Sequence, residues 1–415
     1  MPHKVYQLFL NQLNKCFDKF EFSKEVQLTM KQPKNEIIVN FPVKLSNGDT
    51  ELFKGYRIQH NDQLGPFKGG LRFHHEVHLD ECKSLAAWMT MKCALQELPY
   101  GGGKGGIKFN PREYNEDDLR VISRGFSKAL FPYIGENVDI PAPDVGSTAQ
   151  VMDWMNAVYQ NMSHNKFSSS FTGKSLENGG SKGREQATGL GVAYCVREYF
   201  KVNNESMEGK TFMVQGFGNV GSFGAKLLEG MGMKCIGVAD HTGHYLLNVE
   251  NNQFDKVFAH NKENRCLAGI SSDLATPCDR NTFFSNKCDV FVPAALELQI
   301  LEEEAKMMNC RMIVEGANGP TDDVADDILL QRGIDVIPDI LANSGGVTTS
   351  YFEWVQNKSS HYWSEKEVLA KLEEKMVETF HRVWNCAKDN QIDMRTASFY
   401  LAIDRIAKKM ASNQK

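Results

Sequence analysis

The chain has 415 residues, 41% of them hydrophobic, and a formal net charge of −5. That length accommodates two or three domains with sizeable cores, and the apolar content excludes disordered and fibrous classes. Acidic and basic residues are interspersed without a basic stripe, which argues against a nucleic-acid partner.

Residues 1–20 read as an amphipathic helix, not a cleaved signal, and no apolar run nears the roughly 18 residues of a membrane span. A cytoplasmic protein without a membrane partner is expected. Residues 1–160 mix helical periods with short strands such as 35–41, followed by a turn at Ser46-Asn47-Gly48-Asp49. The segment from Phe73 to His78 invites a zinc reading, but H-E-x-x-H needs Glu where His75 stands. The ten cysteines are scattered without a C-x-x-C pair, so no metal is expected and the thiols should be reduced.

Cys82, Leu85, Ala86, Met89 and Cys93 fall at helical spacing, with Lys92 beside that stripe. Next comes Pro99-Tyr100-Gly101-Gly102-Gly103-Lys104-Gly105-Gly106-Ile107. Glycine is costly to order, so this run implies a backbone that something must approach closely, and a ligand is the candidate. Asp139 to Gly146 holds two prolines ahead of Asp144, a stiff loop able to present one carboxylate.

A Ser-, Gly- and Asn-rich stretch at 161–184 marks a domain crossing, with the boundary near 180. Beyond it, strand-like runs at 212–216, 234–240, 288–294, 311–316 and 334–339 alternate mostly with helical stretches, the pattern of a parallel, doubly wound sheet. The tail from about Glu365 is helical, and Thr396 to Ile406 has an apolar face. The expected architecture is two α/β domains: 1–180 for substrate binding and oligomerisation, with C-terminal helices at about 390–415 packing back on it, and a Rossmann-type domain at 181–389.

Phe212 to Gln215 runs into Gly216-Phe217-Gly218-Asn219-Val220-Gly221 and a helix-prone stretch, giving strand, G-x-G-x-x-G and helix in order. Asp240 closes the next strand about 20 residues on, where a carboxylate accepts hydrogen bonds from an adenosine ribose and repels a 2′-phosphate. NAD is therefore favoured over NADP. Lys104 is followed by glycine, whereas a phosphate-binding P-loop requires Ser or Thr, so ATP chemistry has no anchor there.

Lys68, Lys92 and Lys104 all sit in glycine-lined or apolar settings. For one such lysine, snorkelling to water is the plain alternative. Three together imply buried cations that need partners, and an acidic ligand is the economical one. Asp144 then complements them as a proton shuttle.

Lys68-Gly-Gly-Leu-Arg-Phe-His74, Met89-Thr-Met-Lys92, the Lys104 glycine run, Pro141-Ala-Pro-Asp144, Arg184-Glu-Gln-Ala-Thr188-Gly, Gly216 to Gly221 and Asn343-Ser-Gly-Gly-Val-Thr-Thr-Ser350-Tyr-Phe-Glu-Trp closely resemble glutamate dehydrogenase. The resemblance implies reversible oxidative deamination of glutamate to 2-oxoglutarate and ammonium in a homohexamer, with the active site in a cleft between the domains. By it, Lys104 is the catalytic lysine and Asp144 relays protons. Lys92 holds the α-carboxylate, and Lys68 with Ser350 the γ-carboxylate. Gly216, Gly218, Asn219, Val220 and Gly221 hold the dinucleotide, while Thr188, Asn318 and Asn343 lie near its nicotinamide end. A leucine- or phenylalanine-type dehydrogenase and a nucleotide-binding regulator without catalysis are the alternatives; Lys68 and Ser350, suited to a second carboxylate, argue against the first.

Overall fold

The structure is a computed structural model that describes residues 4–164, 169–248 and 253–413. Residues 165–168 of the predicted crossing at 161–184, and residues 1–3 of the predicted first helix, lie outside the described residues. The chain divides into two compact units, one of residues 1–184, 347–369 and 399–415, the other of residues 185–346 and 370–398. No described helix is long and apolar enough to cross a membrane.

In the first unit, five strands form a mixed sheet: β1 (Asn35–Lys44), β2 (Thr50–Asn61), β3 (Phe67–His74), β4 (Gly102–Lys108) and β5 (Asp139–Pro143), in the order β1-β2-β4-β3-β5. β1, β2 and β4 pair antiparallel, while β3 runs parallel to both β4 and β5. One face packs Phe41, Phe53, Phe73, Ile107 and Phe126 into a core. The helix Leu79–Leu95 starts at His78, whose ring accepts from the Glu81 N–H, and Asp80 and Glu81 in its first turn suit the helix dipole.

The glycine run proves to serve packing. A Cβ on Gly102 would lie 2.3 Å from the Thr90 nitrogen on that helix, and one on Gly106 would lie 2.1 Å from the Arg72 carbonyl oxygen. Neighbouring backbone therefore approaches β4 closely, and Lys104 is the side chain that this crowded strand presents between its glycines.

Arg57 and Asp139, 0% exposed, tie β2 to β5. Arg57 Nε donates to Asp139 Oδ2 at 2.8 Å, and Nη1 donates to the Gly69 carbonyl at 3.1 Å. A charge-assisted bracket thus fixes the strand ends that hold Lys68 and lead to Asp144.

In the second unit the five predicted strands form as β6 (Thr211–Gln215), β7 (Lys234–Asp240), β10 (Lys287–Pro293), β11 (Asn309–Val314) and β12 (Asp335–Ile337), with every adjacent pair parallel. Two strands absent from the sequence reading, β8 (Gly243–Leu247) and β9 (Ala275–Cys278), extend the edge antiparallel in the order β12-β11-β10-β6-β7-β8-β9. They are short and half-exposed, which leaves little apolar pattern to read. Met213, Ala239, Phe291, Ile313 and Leu329 fill the core beside this sheet.

Candidate active site

In the first unit the three lysines are all buried: Lys68 is 1%, Lys92 6% and Lys104 5% exposed. Neighbouring elements deliver them, β3 for Lys68, the helix Leu79–Leu95 for Lys92 and β4 for Lys104. Asp144 follows directly on β5, its backbone N–H donating to Ser147 Oγ at 2.9 Å while that hydroxyl donates to the Leu71 carbonyl at 2.6 Å. Lys104 Nζ lies 3.1 Å from Asp144 Oδ2, and Arg72 Nε reaches the same oxygen at 3.0 Å. Arg72 also pairs with Glu81. Burial alone would raise the Asp144 carboxyl, but the adjacent Lys104 and Arg72 charges outweigh it and hold the group well below the usual carboxylate range.

Lys68 stands differently. Its Nζ donates to the Ile140 carbonyl at 3.2 Å, and among the described residues no carboxylate lies within ion-pairing distance. Burial, and then the Arg184 and Arg57 charges, push it down to about 7. The buried Cys93 thiol feels both the Lys68 and the Lys92 charges, which puts those two cations in one neighbourhood.

Arg184 is a residue to which the sequence reading assigned no role. Its Nη1 donates to Ser350 Oγ at 2.5 Å, on the helix Gly345–Ser359, and its charge bears on Lys68. One turn beyond Ser350, Glu353 is fully buried; it pairs with Lys174 Nζ at 2.8 Å, accepts from the Gly173 N–H at 2.7 Å and lies 4.0 Å from Arg184. Lys68, Arg184 and Ser350 thus make a cationic, hydrogen-bonding group held by a buried carboxylate behind it. In the sequence, the Arg184-Glu-Gln-Ala-Thr188-Gly motif is the signal for Arg184.

In the second unit, Gly216 leaves β6 with a φ of +95°, in the left-handed region. The helix Asn219–Gly230 then begins, with Gly218 as its N-cap. A Cβ on Gly221 would lie 1.9 Å from the Gly216 oxygen, whereas one on Gly218 would meet nothing within 4 Å. The first glycine permits tight packing and the second borders open space at a helix N-terminus, where an anion is favoured. A cavity of about 910 Å³ adjoins this turn, lined by Phe217, Gly218, Asn219, Lys226, Lys262 and Arg265 among others.

The other cofactor candidates come from helix starts and from the loops after the strands. A Cβ on Gly316 would sit 3.2 Å from Val220 Cγ1, and one on Gly346 would sit 2.7 Å from Thr188 Oγ1. Asn343 Nδ2 donates to the Ala317 carbonyl and to Asn318 Oδ1, each at 3.1 Å. Its buried Oδ1 has no hydrogen-bond partner among the described residues. Asp240 ends β7 as expected, but its oxygens already accept from the Thr242 N–H at 2.8 Å and the Leu267 N–H at 2.7 Å, so it also organises its own turn.

Residues 33–161 match the Glu/Leu/Phe/Val dehydrogenase dimerisation domain, and residues 179–413 match the Glutamate/Leucine/Phenylalanine/Valine dehydrogenase domain. The chain belongs to this dehydrogenase family. It is 41% identical over 396 residues to the catabolic NAD-specific glutamate dehydrogenase RocG of Bacillus subtilis, covering 95% of this chain and 92% of that protein. The dehydrogenase fold superposes on glutamate dehydrogenase from Peptoniphilus asaccharolyticus with a TM-score of 0.86 and 38% identity, covering 99% of each chain. Hetero-hexameric glutamate dehydrogenase from Thermus thermophilus, in a Leu-bound form, matches with a TM-score of 0.93 and 30% identity over 99% of this chain and 97% of that one.

One grouping stands apart from the dehydrogenase motifs. His74, His75 and Glu76 bring three possible metal ligands within 4.8 Å of one another. His75 and Glu76 are exposed, and the Glu76 N–H donates to His74 Nδ1 at 3.3 Å.

Proposed function

We propose that the chain catalyses the reversible oxidative deamination of L-glutamate to 2-oxoglutarate and ammonium, using NAD, as a cytoplasmic homohexamer. The observation that supports glutamate over an apolar amino acid is the group of Lys68, Arg184 and Ser350. A second carboxylate answers buried Lys68, half-buried Arg184 and a hydroxyl, whereas a leucine side chain would leave Lys68 desolvated with no carboxylate among the described residues at ion-pairing distance. The names of the relatives point the same way.

Lys68 and Ser350 bind the γ-carboxylate, with Arg184 adjoining, and Lys92 binds the α-carboxylate. The residues of the second unit fit NAD. The open space at Gly218 accommodates a pyrophosphate, Asp240 faces the ribose, and the unpartnered Asn343 Oδ1 suits the amide N–H of a carboxamide. Thr188, Asn219, Val220 and Asn318 complete that surface with Gly216 and Gly221. Bound NAD supplies the acceptor for the hydride that leaves the substrate α-carbon.

Lys104 orients and activates the water that adds to the resulting substrate imine, and Asp144 exchanges protons with the departing amine. A carboxylate held low by two cations accepts a proton poorly, so Asp144 works once substrate has drawn Lys104 away from it. The test is NADH formation from glutamate with release of ammonium, in the wild type and in Lys104→Ala. The variant should lose about 10²–10⁴ in kcat; turnover near wild type would end the assignment.

A further inference from the structure

The buried ionic cluster of the second unit has no part in the chemistry above, yet it leads to it. Arg395 lies at the start of the helix Met394–Asn413, 5% exposed. Its guanidinium forms two forked pairs: Nη1 and Nη2 donate to Glu315 at 2.9 and 2.8 Å, and Nε and Nη2 donate to Asp326 at 3.0 Å each. Glu315, 0% exposed, also accepts from the Asp339 N–H at 2.9 Å. The Asp339 carboxylate in turn accepts from the Gly319 N–H at 2.9 Å.

Those last two bonds set both sides of the loop that holds the cofactor asparagines. Glu315 begins Glu315-Gly-Ala-Asn318-Gly-Pro, and Asp339 opens the short helix Asp339–Ala342, with Asn343 as its C-cap. Asn343 then spans the gap through its donations to the 316–318 loop. The Asn343 oxygen left without a partner is therefore aimed by a chain of contacts running from Arg395 through Glu315 and Asp339.

We propose that Arg395 is a positioning residue for the nicotinamide end of the cofactor, holding Asn318 and Asn343 in register through Glu315 and Asp339. This rests on the proposed NAD site. Arginine is required because its planar fork serves two carboxylates at once, which an ammonium group does not.

The test measures equilibrium binding of NADH and of ADP-ribose, which lacks the nicotinamide, to the full-length protein by isothermal titration. Arg395→Lys should weaken NADH about tenfold, the size of one hydrogen bond, and leave ADP-ribose within about twofold. Asp326→Asn, which loosens the fork while keeping the arginine, should give a smaller change in the same direction and serves should Arg395→Lys not fold. In Asn343→Ala, adding Arg395→Lys should change NADH affinity little, since both act through one contact. Unchanged NADH binding, or equal losses for NADH and ADP-ribose in the folded variants, overturns the proposal. Wild-type protein that binds neither probe would instead overturn the NAD site itself.

Discussion

Lys104 Nζ and Asp144 Oδ2 lie 3.1 Å apart, with Asp144 held in ionised form by that ammonium and by Arg72. An acid so clamped is a poor proton acceptor at rest, so in the proposed mechanism its proton exchange awaits the arrival of substrate.

Asp144→Asn keeps the size and hydrogen-bonding capacity of the side chain but removes its proton exchange. Its kcat should fall by about 10²–10⁴, while the KM for glutamate changes less than about threefold, because the residues proposed to hold the substrate carboxylates are others. Steady-state kinetics checks this split; a large rise in KM at unchanged kcat would move Asp144 from proton transfer to binding.

Lys68 supplies a pH-dependent signal. With its pKa pushed down to about 7, it is mostly neutral above pH 7 in the free protein and mostly charged below. A bound carboxylate favours the charged form, so binding must draw a proton from solution above pH 7 and not below. Titrating 2-oxoglutarate into the NADH complex in buffers of different ionisation enthalpy should report uptake approaching one proton at pH 8 and little at pH 6. Affinity should weaken toward tenfold per pH unit above 7. No uptake at either value would show that Lys68 stays charged throughout.

Two glycines of one motif should answer substitution differently. Gly221→Ala places a Cβ against backbone 1.9 Å away and should cost about 1–3 kcal/mol or more. Gly218→Ala meets no atom within 4 Å, so its melting temperature should stay within about 2 °C while the KM for NAD rises roughly tenfold. Thermal melts with NAD kinetics separate the two. A Gly218→Ala protein with native cofactor affinity would place the pyrophosphate elsewhere.

The sequence made the lysines, the dinucleotide turn and the parallel strands legible because each follows a local rule: an apolar stripe, a glycine spacing, alternation of strand and helix. What it hid are pairs formed across long separations. Arg57 and Asp139 stand 82 residues apart, Arg395 and Glu315 80, and no periodicity links either pair. Arg184 belongs to a legible motif, but nothing local says that its guanidinium meets Ser350, 166 residues on. The glycines around Lys104 are readable as a need for close approach, but only the fold shows that β2, β3 and the helix Leu79–Leu95 are among what comes close. β8 and β9 escaped because short, half-exposed strands carry little apolar pattern.

The most direct measurement is kcat/KM for L-glutamate and L-leucine, each with NAD, on the same preparation. Buried Lys68 and half-buried Arg184 predict a preference for glutamate of about 10⁴ or more. Comparable values for the two amino acids would contradict the assignment of a second carboxylate to those cations.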